Sequence, residues 1–121
     1  MIIGRFMELL DARPAGPLYM QEISDAIGVS SRTLRMACQT QLGVSPTRYL
    51  LLRRMGLARR ALRDADPLVT RVTDVATEYG FLELGRFAVK YRQIFGETPS
   101  STLRSTAPAS SAPVSPGYAF A

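Results

Sequence analysis

The chain has 121 residues, of which 46% are hydrophobic, which allows one small domain with a modest core. It has no histidine and one cysteine, Cys38. An internal disulfide is therefore excluded, an ordinary zinc site cannot be assembled, and no metal or cofactor is expected. Fifteen basic residues against ten acidic ones give a net charge of +5. No apolar run is long enough to span a membrane, and Met1 to Leu10 lacks the cleavage pattern of a signal peptide, so a cytoplasmic protein is expected.

The charge is informative in kind as well as in sign. Lys90 is the single lysine, the other basic residues are arginine, and every charged residue precedes Ser105. Arginine suits bidentate contacts to phosphate and to guanine edges. A basic domain with arginines on helices is the usual footprint of a nucleic-acid binder, although composition alone is equally compatible with a solvated cationic surface.

In chain order, Ile3, Phe6, Met7 and Leu10 form a first helical stripe, which ends near Pro14 and Gly16. Met20, Ile23, Ala26 and Ile27 form a second, short one, stopped by Gly28. Ser30 can cap a third helix with Leu34, Cys38 and Leu42 on one line, and Gly43 ends it. Ser45-Pro46 opens a long helix to about Asp64, with Tyr49, Leu50, Ala58, Ala61 and Leu62 inward. Gly56 in its middle costs about 1 kcal/mol relative to alanine and is read as permitting a bend or a close approach. After Pro67, Val72 to Tyr79 makes a fifth helix and Leu84 to Phe95 a sixth, with Leu84, Phe87, Tyr91 and Ile94 or Phe95 inward. Thr98-Pro99 starts a short last helix. No stretch alternates as a strand would, so the fold class is all-α with seven helices. Ser105 to Ala121, rich in Ala, Ser and Pro and free of charge, is read as a flexible tail that ends on Tyr118 and Phe120.

One pattern occurs twice. Ile23-Ser24, Gly28-Val29, Leu34, Cys38, Leu42-Gly43, Ser45-Pro46 and Leu50 match Val75-Ala76, Gly80-Phe81, Phe87, Tyr91, Phe95-Gly96, Thr98-Pro99 and Leu103. The second turn is one residue longer. Each copy reads as a short helix, a glycine-containing turn and a longer helix. A small residue at position 24 or 76 lets the two helices pack closely, and the glycine permits a tight, left-handed turn. In a DNA-binding helix-turn-helix the second helix then presents its polar face to the major groove.

These motifs, taken together, resemble the DNA-binding domain of the AraC/XylS family of transcriptional regulators. The first half of the likeness is Gly28-Val29-Ser30-x-Arg32-Thr33-Leu34 followed by Gly43-x-Ser45-Pro46-x-x-Tyr49-Leu50. Arg54-Met55-x-x-Ala58-x-x-Ala61-Leu62 follows on the linking helix. The second half is Val72-x-x-Val75-Ala76-x-x-x-Gly80-Phe81, then Phe87-x-x-x-Tyr91 and Phe95-Gly96-x-Thr98-Pro99. The likeness runs from about Leu18 to Arg104. It implies seven helices: a first helix-turn-helix unit at about 1–45, a linker helix at about 46–64 and a second unit at about 65–104. It also implies binding to double-stranded promoter DNA through two recognition helices in successive major grooves, and recruitment of RNA polymerase. Members usually carry a separate sensing or dimerisation domain, which this sequence does not include.

Carried over residue by residue, the first recognition helix would read bases with Arg32, Arg35 and Met36, with Ser31 and Gln39 nearby. Met36 departs from the usual polar residue and suits either a thymine methyl or a neighbouring helix. The second departs further, with Leu84, Gly85 and Val89 at comparable places, so this half is expected either to grip mainly phosphate, through Arg86, Lys90 and Arg92, or to bind in a different pose. Arg54 matches the family arginine and either braces the two halves or meets phosphate; Arg53, Arg59, Arg60 and Arg63 are expected in solvent. Cys38 is expected to be buried and inert. The competing reading is a helical protein-interaction module or antagonist using Leu51, Leu52, Leu84 and Val89. An enzyme ranks third, since no acid-base or nucleophilic site can be built.

Overall fold

A computed structural model of the chain describes residues 1–13 and 19–105; the expected tail beyond Ser105 lies outside the described residues. Seven helices follow one another with no strand among the described residues: α1 (Ile2–Ala12), α2 (Met20–Ile27), α3 (Ser31–Leu42), α4 (Pro46–Asp64), α5 (Val72–Glu78), α6 (Leu84–Phe95) and α7 (Pro99–Arg104). The expected all-α class is thus met element by element.

Local chemistry sets the helix ends. The Ser30 side chain accepts the Thr33 amide, Ser45 that of Arg48 and Thr98 that of Ser101, each at 3.1 Å, so orphan donors of three first turns are satisfied. Pro46 and Pro99 open α4 and α7 at positions where no amide hydrogen is needed. At α2 and α5 the cap is reversed. The Tyr19 amide donates to Glu22 at 3.1 Å and the Arg71 amide to Asp74 at 3.2 Å. Glu22 and Asp74 are thus a further matched pair of the repeat, signalled in the sequence by an acid just before Ile23 and Val75.

The core has two centres. Ile3, Phe6, Leu10, Ile23, Ile27, Leu34, Cys38 and Tyr49 fill the first. Leu52, Met55, Ala58, Leu62, Val75, Ala76, Phe87, Tyr91, Ile94 and Leu103 fill the second. The linker helix α4 belongs to both: its first turn places Tyr49 in the N-terminal centre, and from Leu52 onward it serves the C-terminal one. Phe6 packs on Tyr49 at 5.8 Å between ring centroids, and Asp11 of α1 pairs with Arg53 of α4.

Several inward assignments change. The inner line of α2 runs through Ile23, Ser24 and Ile27, so Ala26 stays exposed. Ser24 is acceptable inside because its hydroxyl donates back to the Met20 carbonyl at 3.2 Å. Leu50 and Ala61 are only half-buried. Leu84, in the first turn of α6, is 42% exposed and does not join the second core, whereas Ile94 does. Leu52 is buried, which removes it from any docking surface. Gly56 is buried in α4, yet a methyl group there would meet nothing within 4 Å among the described residues, so no close approach among them explains it.

Candidate nucleic-acid interface

The two copies of the motif superpose in their hydrogen bonds as well as in their sequence. In the first, the Val29 amide donates to the Ser24 carbonyl at 3.1 Å; in the second, the Phe81 amide donates to the Ala76 carbonyl at 2.8 Å. Gly28 and Gly80 take φ of 85° and 90°, a left-handed conformation that costs an L side chain about 1 kcal/mol or more. Ser24 and Ala76 are both buried, so the first helix of each pair lies close against the second. The recognition helices α3 and α6 are each 12 residues long and close on Gly43 and Gly96.

The extra residue of the second turn is Leu82, 78% exposed. It stands just before Glu83, which occupies the cap position of α6 but makes no side-chain cap bond. The corresponding residue in the first copy, Ser30, does. The start of α6 is therefore less firmly fixed than that of α3, and Gly85 adds to the difference.

On α3, Ser31, Arg32, Arg35, Met36 and Gln39 are all exposed, on the side away from Leu34 and Cys38. Met36 is 57% exposed, so of its two expected roles packing against a neighbouring helix is not the one observed. On α6, Arg86, Lys90 and Arg92 are exposed, but they do not form one cluster. Arg86 and Lys90 are one turn apart on one flank, Arg92 lies on the other, and Gly85 and Val89 occupy the middle of the face. Met36 and Val89, at equivalent places in the repeat, are 57% and 58% exposed, so each recognition helix centres its outward face on an apolar side chain.

Neither α3 nor α6 contains a carboxylate. The acids lie instead on α1, α2 and α5, at the end of α4 and in the connecting turns. Among the described residues the ion pairs are Arg53–Asp11 and Arg71–Asp74, so the five cations of the recognition helices are left unneutralised by the protein. That arrangement favours a polyanion.

Arg54 stands apart from the other eight site residues. It is 7% exposed, and its Nε and Nη2 are buried with no hydrogen-bond partner among the described residues. Burial lowers its pKa from the ordinary arginine value, and the nearby Arg13 charge lowers it further. Its burial withdraws the guanidinium from a surface ligand, and its Nε and Nη2 make no bracing hydrogen bond among the described residues either. Arg53 and Arg59 are also less exposed than expected: Arg53 is tied to Asp11, and Arg59 lies 5.1 Å over the Phe95 ring. Cys38 is fully buried, which raises its thiol pKa.

Residues 23–105 match the family described as "Helix-turn-helix domain". The chain belongs to the AraC/XylS family of helix-turn-helix regulators. It is 41% identical over 103 residues to a probable thc operon regulatory protein of Rhodococcus erythropolis, covering 85% of this chain and 31% of that protein. It is 33% identical over 100 residues to the XylDLEGF operon transcriptional activator of Pseudomonas putida, covering 83% and 31% respectively. The chain thus spans about a third of the length of these relatives. Among solved structures, a probable AraC family transcriptional regulator from Rhodopseudomonas palustris superposes with a TM-score of 0.74 at 34% identity, covering 87% of this chain and 96% of that one. This AraC/XylS-type chain shares its match with the family from the first helix-turn-helix through α7.

Proposed function

We propose that this AraC/XylS-type chain binds double-stranded promoter DNA in a sequence-specific manner and regulates transcription, with α3 and α6 each entering a major groove. The observation that carries the reading is the pair of repeated 12-residue helices whose outward faces hold five cations, no carboxylate and no ion pair among the described residues. Arg32, Arg35, Ser31, Gln39 and Met36 read base edges in the first groove. Arg86 and Lys90, with Arg92 on the opposite flank, hold phosphate at the second. The two helices differ, so one copy of the chain recognises an asymmetric site across successive grooves roughly 34 Å apart.

The relatives' names support transcriptional regulation. Recruitment of RNA polymerase, a sensing or dimerisation domain beyond the matched third, and a cytoplasmic location belong to the same proposal. Selection of bound sequences from random duplex DNA, followed by footprinting, tests it. The expected result is one asymmetric consensus protected over two successive major grooves, with affinity falling steeply as salt rises. Binding that is indifferent to sequence, or protection of a single groove, contradicts it.

A further inference from the structure

Three of the exposed apolar side chains lie at the α5–α6 turn and on α6: Leu82 is 78% exposed, Leu84 42% and Val89 58%. Leu82 borders an apolar groove of about 340 Å³ between α4, the α5–α6 turn and the start of α6. Leu51 and Met55 of α4, Phe81 and Leu82 of the turn and Phe87 of α6 form its walls. The groove belongs to this copy of the motif in particular, because Leu82 is the residue by which the second turn exceeds the first. Its volume falls at the lower end of the range for small-molecule sites, which are typically apolar with a few convergent polar groups.

The polar groups here are Arg86 and Lys90, with Glu83 the single carboxylate on the lining. Neither cation is in an ion pair among the described residues. Both, together with Glu83, also line a second depression on the outward face of α6, with Gly85, Val89 and Gln93. Arg86 and Lys90 therefore form a ridge with the apolar groove on one side and the outward face on the other. A long, flexible cation on such a ridge can turn to an anion on either side but cannot serve both at once.

We propose that this groove binds a small amphipathic monocarboxylate, its apolar body against Leu51, Phe81, Leu82 and Phe87 and its carboxylate on Arg86 and Lys90. Occupancy draws these two cations away from phosphate and so weakens DNA binding. The competition rests on the DNA-binding reading above; the ligand site itself does not.

Octanoate, below its micelle concentration, is a suitable probe, with octan-1-ol lacking the charge and acetate lacking the apolar body. In an amide-resolved NMR titration of the chain without DNA, octanoate is expected to give saturable shifts centred on Leu51, Phe81, Leu82 and Phe87. It should bind at least about ten-fold more tightly than either control, the scale of one charge-assisted contact. Leu82→Asn, at an exposed position outside the proposed DNA contacts, should weaken octanoate about five-fold or more and leave the salt-dependent DNA affinity unchanged when no octanoate is present. Saturating octanoate should lower DNA affinity for the parent chain and much less for the Leu82→Asn chain. Equal binding of octanol, shifts elsewhere in the molecule, or a Leu82→Asn chain that binds octanoate normally overturns the site. Groove binding that leaves DNA affinity untouched overturns the competition alone. Failure of the chain to bind any duplex while octanoate still titrates the groove counts against the DNA reading and leaves the site standing.

Discussion

The Tyr91 and Thr102 hydroxyls lie 2.6 Å apart, buried between α6 and α7. Thr102 in turn bonds the Glu97 carboxylate, so a chain of polar groups holds the second recognition helix to the last helix beneath it. The equivalent positions in the first copy are Cys38 and Tyr49, where Tyr49 reaches the Met7 sulfur at 3.3 Å instead. The repeat keeps the backbone and exchanges the fastening.

This fastening has a pH signature. Burial pushes the Tyr91 phenol up to about 12, against opposing effects of the Thr102 hydroxyl and the Arg59 guanidinium. The unfolded phenol titrates near 10. A raised folded value means that the folded state retains the proton longer, so stability is intact below about pH 10 and falls between about pH 10 and 12. The loss is on the order of 1 to 3 kcal/mol. Tyr91→Phe should remove this part of the alkaline decline in urea titrations run at successive pH values. An unchanged alkaline limb in the variant would show that other groups cause it.

Thr102→Val should destabilise the chain by about 1 to 3 kcal/mol, because it leaves the Tyr91 hydroxyl and the Glu97 carboxylate without their shared partner. Tyr91→Phe combined with Thr102→Val should cost less than the two single changes added together. Strict additivity in chemical denaturation would mean that the two hydroxyls do not act as a unit.

Arg54→Met keeps the apolar stem and deletes a buried charge. The melting temperature should rise, with a gain of about 1 kcal/mol, since an interior charge whose Nε and Nη2 have no hydrogen-bond partner among the described residues opposes folding. DNA affinity should retain its salt dependence. A salt slope shallower by about one unit would instead identify Arg54 as a phosphate contact.

Gly56→Ala should stabilise the chain by up to about 1 kcal/mol, because the new methyl meets nothing within 4 Å among the described residues and alanine is the better helix former. Destabilisation in thermal melts would mean that α4 needs the glycine for a close contact after all.

The two recognition helices should respond differently to truncation. Arg32→Ala or Arg35→Ala should cost roughly 1 to 3 kcal/mol on the selected site and relax preference at individual base pairs. Arg86→Ala or Lys90→Ala should weaken specific and scrambled duplexes alike, with a salt slope about one unit shallower for each. If the α6 variants shift base preference and the α3 variants do not, the assignment of the two halves is reversed.

Order along the chain and the repeat were legible in the sequence because the signals that set them are local. Ser30, Ser45-Pro46 and Thr98-Pro99 satisfy amides three residues away or less, and Gly28 and Gly80 mark turns by their own backbone freedom. The outward placement of Arg32, Arg35, Arg86 and Lys90 follows from helical period measured against Leu34, Cys38, Phe87 and Tyr91. The features that one helix's pattern does not announce depend on neighbours far along the chain. Arg54 has the composition of a surface residue, and α4 turns it inward, near the Arg13 end of α1. Leu84 has the composition of a core residue, and the core ends before reaching it. The division of α4 between two cores and the groove behind Leu82 arise in the same way. Burial of a long side chain is set by the elements that happen to cover it, and one helix's periodicity carries no record of those.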